Sequence, residues 1–205
     1  MSVKRRGTLF VVSAPSGAGK TTLCRELRIR VPGLAYSMSV TTRAPRPGEL
    51  NGVDFEFVNE ERFRTMIVAG EFAEHAVVHG HLYGTRASTL EHALAAGTDI
   101  LLDIDTQGAA KLKHHAPEAV LIFIVAPSMK ELEQRLRERR SDGEADITRR
   151  LARARDEIGL WRRYDYLIVN RDVKEALDQL EQIIAAERTR TSRLTLTMDD
   201  LEVPN

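Results

Sequence analysis

The sequence predicts an α/β protein: a parallel-sheet core, a small and mostly antiparallel insert, and a helical lid. Three observations carry that expectation. Four short runs have an apolar, strand-like centre: Thr8–Ser13, DILLDI (Asp99–Ile104), AVLIFIVA (Ala119–Ala126) and YLIVN (Tyr166–Asn170). Runs of this kind read as parallel strands buried on both faces. Helical patterns separate them, and strands alternating with helices imply a parallel sheet. The segment from about 36 to 83 breaks that rhythm and reads as an insert.

After Ser13 comes a turn rich in small residues, then Leu23, Leu27 and Val31 recur every four residues. That spacing predicts a helix, which Pro32 and Gly33 stop. In the insert, VDFEFV (Val53–Val58) alternates with period two, as a half-exposed antiparallel strand does. Asn59 is placed to cap a short helix with Phe63 and Ile67 on one face and Gly70 at its end. EFAEHAVVH then returns as strand. Ser128 with Glu131 forms a capping box after the third apolar run, and Asp172 with Glu175 resembles another. Arg135–Arg155 is an arginine-rich helical stretch interrupted by SDGEAD (Ser141–Asp146), the pattern of a helix pair with a polar hinge. The boundaries expected are a core of about 7–35, 86–134 and 165–188, an insert of about 36–85, a lid of about 135–164 and a loosely held tail of about 189–205, all in one domain.

Composition narrows the function classes. The 205 residues suffice for one domain with a real core, and 42% hydrophobic with 29% charged residues is ordinary for a soluble globular chain. Lys and Arg total 30 and so do Asp and Glu, so no global basic field for nucleic acid exists. The one cysteine, Cys24, excludes an intramolecular disulfide; it falls in a predicted helix and reads as a small buried hydrophobe. The basic N-terminus, MSVKRRG, leads into too short an apolar run for a signal peptide or a membrane span. A cytoplasmic protein with no membrane partner is expected. The histidines, His75, His79, His81, His92, His114 and His115, show no metal-ligand set.

The turn after the first strand, SAPSGAGKTT, is the candidate chemical motif. It spans Ala14, Pro15, Ser16, Gly17, Ala18, Gly19, Lys20, Thr21 and Thr22. Its setting between a buried strand and a helix is the one a phosphate loop requires. Gly17 and Gly19 let successive N–H groups face inward as an anion nest, and the following helix points its positive end there. Lys20 suits β- and γ-phosphate oxygens, and the Thr21 hydroxyl suits Mg²⁺. Ala14 stands where the usual pattern has Gly, at the loop's entry only. The loop marks a nucleoside triphosphate site without naming an acceptor.

The insert supplies acceptor candidates. Arg43 and Arg46 lie three residues apart in a Pro- and Gly-punctuated loop, where two guanidinium forks can clamp a phosphate monoester; two solvated surface arginines are the competing reading. Glu74, with Tyr83 and Thr85 further on, offers a carboxylate for the adjacent N1–H and N2–H₂ donors of guanine and a hydroxyl for O6. An ordinary strand glutamate is the alternative for Glu74 alone.

Together these segments resemble one family, the guanylate kinases. The resemblance runs from about Gly7 to Glu187 and rests on SAPSGAGKTT, SVTTRAPRPGELNGVDF, EFAEHAVVHGHLYGT, ILLDIDTQGA, RLRERR and the VN of LIVN. It implies a P-loop core with a GMP-binding insert and a lid, and Mg²⁺-dependent transfer of the ATP γ-phosphate to GMP, with dGMP as a further acceptor. By position, Ser39, Arg43, Arg46 and Tyr83 resemble the family's GMP phosphate site, and Glu74 and Thr85 its guanine readers. Asp103 resembles a GMP-contacting aspartate; Asp105 reaches GMP or a Mg²⁺-bound water, or simply caps the next helix. Arg135, Arg139 and Arg150 match lid arginines that close over phosphates, and Asn170 a position near the adenine. There are departures: Phe55 replaces a tyrosine of the phosphate clamp, Leu82 replaces the first aromatic before Tyr83, and Glu138-Arg139-Arg140 replaces a Gly-Arg-Gly in the lid. Two rival readings are a kinase of this fold acting on a phosphorylated sugar and a catalytically inactive binding module; the first should lack Glu74 and Thr85, the second the loop or the lid arginines. Oligomeric state is not legible.

Overall fold

The apolar runs form the centre of the molecule because they are the segments that can be buried on both faces. In the computed structural model, residues 2–78, 80–138 and 143–197 are described. His79, Arg139, Arg140, the Ser141 and Asp142 part of the expected hinge, and the 198–205 part of the tail lie outside them. In chain order the elements are β1 (Ser2–Arg5), β2 (Leu9–Ser13), α1 (Lys20–Arg30), β3 (Leu34–Tyr36), β4 (Val40–Thr41), β5 (Glu56–Phe57), α2 (Glu60–Val68), β6 (Phe72–Val78) and β7 (His81–Arg86). Then follow α3 (Ala87–Ala95), β8 (Asp99–Asp103), α4 (Thr106–His115), β9 (Val120–Val125), α5 (Met129–Glu138), α6 (Glu144–Ile158), β10 (Tyr166–Val169), α7 (Val173–Arg188) and β11 (Leu194–Thr197).

The central sheet has five strands in the order β10-β9-β2-β8-β3, all parallel. Alternate residues of each strand serve opposite faces. Phe10, Val12, Leu101, Ile122 and Ile124 join Leu23 and Leu27 of α1 and Leu177, Leu180 and Ile184 of α7. Leu9, Val11, Ile100, Leu102 and Leu121 join Leu90 of α3 and Leu112 of α4. Cys24 is buried in the first of these layers. β3, only three residues long, is too short to register as a periodic run in the sequence. A second sheet, β5-β4-β7-β6, forms the insert, with α2 on it; Phe63, Met66 and Val40 make its small core and Leu82 packs against them. Gly84 has no Cβ because one would lie 2.7 Å from the Phe72 ring.

Three caps act as expected: Asn59 accepts from Arg62 N at 2.8 Å, Ser128 from Glu131 N at 3.1 Å, and Asp172 from Lys174 N and Glu175 N. The reciprocal half of the Ser128 box is replaced, since the Glu131 carboxylate faces Arg135 at 3.4 Å.

Two expectations are corrected. VDFEFV is not an antiparallel strand: only Glu56–Phe57 is extended, and it pairs parallel to β4. The reason is local polar competition. Asp54 takes the Leu50 N–H at 2.8 Å, Asn51 takes the Phe57 N–H at 2.8 Å, and Gly52 sits at φ 77°, so the first half is a turn. The tail is not loose from 189. A 3-10 turn at Thr191–Arg193 leads into β11, which pairs antiparallel with β1, Ser2 against Thr197. Its partner is the other end of the described chain, which no local pattern reveals.

That terminal ribbon is tied to the core through Asp99. Its fully buried carboxylate is shared by Arg5 (Nη2–Oδ2 3.1 Å), Arg188 (Nε–Oδ2 2.7 Å) and the Thr8 amide (2.8 Å). Burial alone would raise the Asp99 pKa, but the two guanidinium groups and the amide outweigh it and hold it below the ordinary value. The stabilisation is therefore complete above the unfolded pKa, about 3.9, and is lost as pH falls through the lower folded value. Asp99→Ala is expected to lower unfolding stability by about 2–4 kcal/mol in urea at neutral pH, with the deficit shrinking towards about pH 3. An unchanged urea midpoint would show that the ribbon is not held by this carboxylate.

Candidate active site

The parallel strands all end at one edge of the sheet, and the polar residues that follow them meet there. Ser13 ends β2 and leads into the phosphate loop; Asp103 ends β8; Asn170 follows β10. Gly17 and Gly19 adopt φ 93° and 96°, the left-handed region that glycine reaches without strain. α1 begins at Lys20, so its free N–H groups face the loop. Lys20 Nζ forms an ion pair with Asp103 and donates to the Ile104 carbonyl at 3.1 Å. Burial works to lower the Lys20 pKa, but the Asp103 charge outweighs it and the net shift is upward. The loop's cation is thus held by the carboxylate at the end of the neighbouring strand.

Between the loop and the insert sheet lies a cavity of about 220 Å³. It brings together Thr21, Ser39, Phe55, Glu74, Tyr83, Asp103 and Asp105. Thr85 donates to Glu74 Oε1 at 2.7 Å, so the two candidate guanine readers act as a unit. Glu74 is buried, and burial is the main cause that lifts its pKa; Asp105 adds to the rise, while Thr85 and Lys111 oppose it. Gly108 of α4 makes this packing possible, since a Cβ there would lie 2.8 Å from Glu74 Oε2.

Arg43 reaches the cavity wall through Tyr83, with Nε 3.0 Å from the phenol oxygen, and its Nη2 pairs with Glu49 at 2.9 Å. Its guanidinium carbon lies 5.3 Å from the centre of the Phe55 ring. Glu49 also accepts from Arg46 N at 2.7 Å, so one carboxylate braces the whole arginine loop. The Arg46 side chain does not line the cavity. On the far side of the loop, Arg150 Nε donates to Ser16 Oγ at 3.2 Å, and Arg135 Nη2 donates to the Asn170 carbonyl at 3.1 Å. Asp105 does cap α4, accepting from Gly108 N at 2.9 Å, and its other oxygen faces Arg153 at 3.5 Å.

Four contributors were not read from the sequence. Tyr36 lines the cavity from the end of β3, with Arg28 stacked 4.2 Å from its ring centre. Glu49 braces Arg43. Arg153 and Glu157, paired at 2.8 Å, line a cleft of about 120 Å³ with Ala14, Ser16 and Arg150. The sequence signal for Glu49 was its place among Arg43, Arg46 and Gly48; Arg153 was hidden in a helix where arginine recurs. A larger cavity of about 820 Å³ lies between the terminal ribbon and the helices α3 and α4, lined by residues such as Arg6, Leu90, His115 and Arg193. It contains none of the phosphate-loop residues, so size does not mark the site. Among the described residues no group of three His, Cys, Asp or Glu is arranged to hold a metal ion, and no helix is long and apolar enough to cross a membrane.

A glycine-rich anion loop between a buried parallel strand and a helix, opening onto a carboxylate-floored cavity, defines a P-loop phosphoryl-transfer enzyme. The comparisons narrow that class. The family model for guanylate kinase matches residues 6–187, and the chain belongs to that family. It is 53% identical over 192 residues to the guanylate kinase of Syntrophotalea carbinolica, covering 94% of this chain and 91% of the relative. It is 51% identical over 192 residues to that of Geobacter sulfurreducens, covering 94% and 95%. The crystal structure of guanylate kinase from Anaplasma phagocytophilum superposes with a TM-score of 0.80 at 37% identity, covering 95% of this chain and 93% of that one.

The raised Glu74 pKa has a consequence for the unliganded protein. A carboxyl whose folded pKa exceeds its unfolded value destabilises the fold once pH rises through that interval. Glu74→Gln keeps an acceptor for Thr85 and removes the buried charge. Its melting temperature without nucleotide should exceed that of wild type at about pH 7.5, with the difference shrinking towards about pH 4. A lower melting temperature near neutrality would contradict the burial assigned to this charge.

Proposed function

We propose that this chain catalyses transfer of the ATP γ-phosphate to GMP, giving ADP and GDP, and accepts dGMP as well. The observation that carries the reading is Glu74, which lines a cavity that also reaches Thr21 of the phosphate loop and accepts from Thr85 behind it at 2.7 Å. Guanine presents two adjacent donors, which the Glu74 carboxylate matches, and one acceptor, which the Thr85 hydroxyl matches once its proton turns from Glu74. Adenine presents an acceptor at N1 and would face that carboxylate badly. A sugar phosphate has no use for the pair, and an inactive binding module has no use for Lys20 and its loop. A place in cytoplasmic purine nucleotide metabolism follows from the substrates.

The residues divide by the charge they handle. Lys20 and the free N–H groups of the loop hold the β- and γ-phosphates. For Lys20 to do so it must leave Asp103, so binding of the triphosphate frees that carboxylate to face GMP. Arg43 and Arg46, with Ser39 and Tyr83, hold the GMP phosphate in line; it is anionic at neutral pH and needs no general base. Phe55 lacks the hydroxyl a tyrosine would bring there. Arg135 and Arg150, and Arg139 outside the described residues, neutralise charge from the lid side, and lid closure excludes water. The Thr21 hydroxyl at the start of α1 is an oxygen donor that suits a hard divalent cation, so the loop fits Mg²⁺. Bound with ATP, Mg²⁺ would offset charge on the β- and γ-phosphate oxygens.

An ADP-release assay across GMP, AMP, UMP and ribose phosphates tests the reading. GMP should be preferred over AMP by about 10³-fold or more in kcat/KM. Glu74→Gln should reduce kcat/KM for GMP by roughly 10–100-fold, since one guanine donor loses its acceptor. A preference for a sugar phosphate would replace the assignment.

Lys20→Ala should lower kcat by about 10²–10³-fold or more while the circular dichroism spectrum stays native. Near-normal turnover by the folded variant would remove the loop from the donor site.

A further inference from the structure

Asn170 is tied to the phosphate loop rather than poised in open space beside it. It follows β10, is 3% exposed, and its backbone N–H donates to the Val125 carbonyl at 2.8 Å. Its side-chain Nδ2 donates to the Ala18 carbonyl at 2.8 Å. The amide orientation is fixed by chemistry, because a carbonyl oxygen accepts only from a donor. Oδ1 has no hydrogen-bond partner among the described residues, so the Ala18 contact alone directs the side chain. The same Nδ2 lies 2.4 Å from where a Gly19 Cβ would be, so the loop's second glycine leaves room for it.

The Ala18 carbonyl shares its peptide unit with the Gly19 N–H. In a planar trans peptide the two point in opposite directions. Drawing the carbonyl towards Asn170 therefore turns the Gly19 N–H away from it, towards the concave side of the loop. The Asn170 carbonyl meanwhile accepts from Arg135 of α5 at 3.1 Å. One residue at the end of the edge strand thus holds both the loop and a lid arginine.

We propose that Asn170 is a positioning residue for phosphoryl transfer: through the Ala18 carbonyl it aims the Gly19 N–H at the donor's phosphates, whatever base the donor carries. The proposal rests on the kinase reading above, and wild-type turnover of ATP with GMP, measured alongside, tests that reading separately.

The experiment compares wild type, Asn170→Ala and the near-isosteric Asn170→Asp. The Ala variant leaves the buried Ala18 carbonyl without its donor, and the Asp variant sets an oxygen against it. Both should lose roughly 10–100-fold in kcat/KM for the donor. The loss should be the same factor for ATP and GTP, with KM for GMP unchanged, and binding of inorganic tripolyphosphate, which has no base, should weaken in parallel. A residue that only reads the adenine would instead change the ATP-to-GTP ratio and leave tripolyphosphate binding intact; either result overturns the proposal. If neither variant folds, wild type decides: the Asn170 side-chain amide protons, followed by NMR, should be protected from solvent exchange and should shift on adding tripolyphosphate. Rapid exchange or an unmoved signal would overturn it.

Discussion

The pairing of Lys20 with Asp103 is the contact on which the rest of the site depends. Both side chains are largely removed from water, at 21% and 13% exposure, and neither charge could be left there alone without a cost of several kcal/mol. The pair requires the phosphate loop and the end of β8 to lie side by side, which the parallel register of β2 and β8 ensures. It also joins the two halves of the site. The cation belongs to the phosphate loop, the carboxylate to the cavity under the insert. Each half supplies the counter-charge of the other.

Around that contact, burial and backbone geometry set the remaining positions. Glu74 sits against α4 because Gly108 leaves room for it, and its charge is tolerated through Thr85. Arg43 is held by Tyr83 and Glu49, so its side chain has little freedom left to lose. Arg135 and Arg150 reach the loop's neighbourhood from two different helices, one to a strand-end carbonyl and one to Ser16.

Much of this was legible in the chain itself. Strands buried on both faces show as unbroken apolar runs, and β2, β8, β9 and β10 lie where those runs stand. The phosphate loop was readable because its glycines, lysine and threonines are contiguous. The acceptor side was harder: Glu74, Thr85 and Asp103 gain meaning only when two sheets bring them together, and single residues of these types are common on ordinary strands. VDFEFV misled because alternation in a short run does not see Asn51 and Asp54 taking the backbone donors. β1 and β11 could not be paired in advance, since their register depends on ends that are distant in the chain.

The ribbon of β1 and β11 has a consequence for biosynthesis. At about 5–20 residues per second, Ser2 leaves the peptidyl transferase centre roughly 10–40 s before its partner Thr197 does. During that interval Asp99 can recruit Thr8 and Arg5 but not Arg188, which is itself made late. The five-stranded sheet has all its members within that span and can condense first, while closure of the ribbon waits until Thr197 has been made. β1 is thus made long before it is secured, and a nascent chain halted upstream of Arg188 would carry Asp99 with one of its two counter-charges missing.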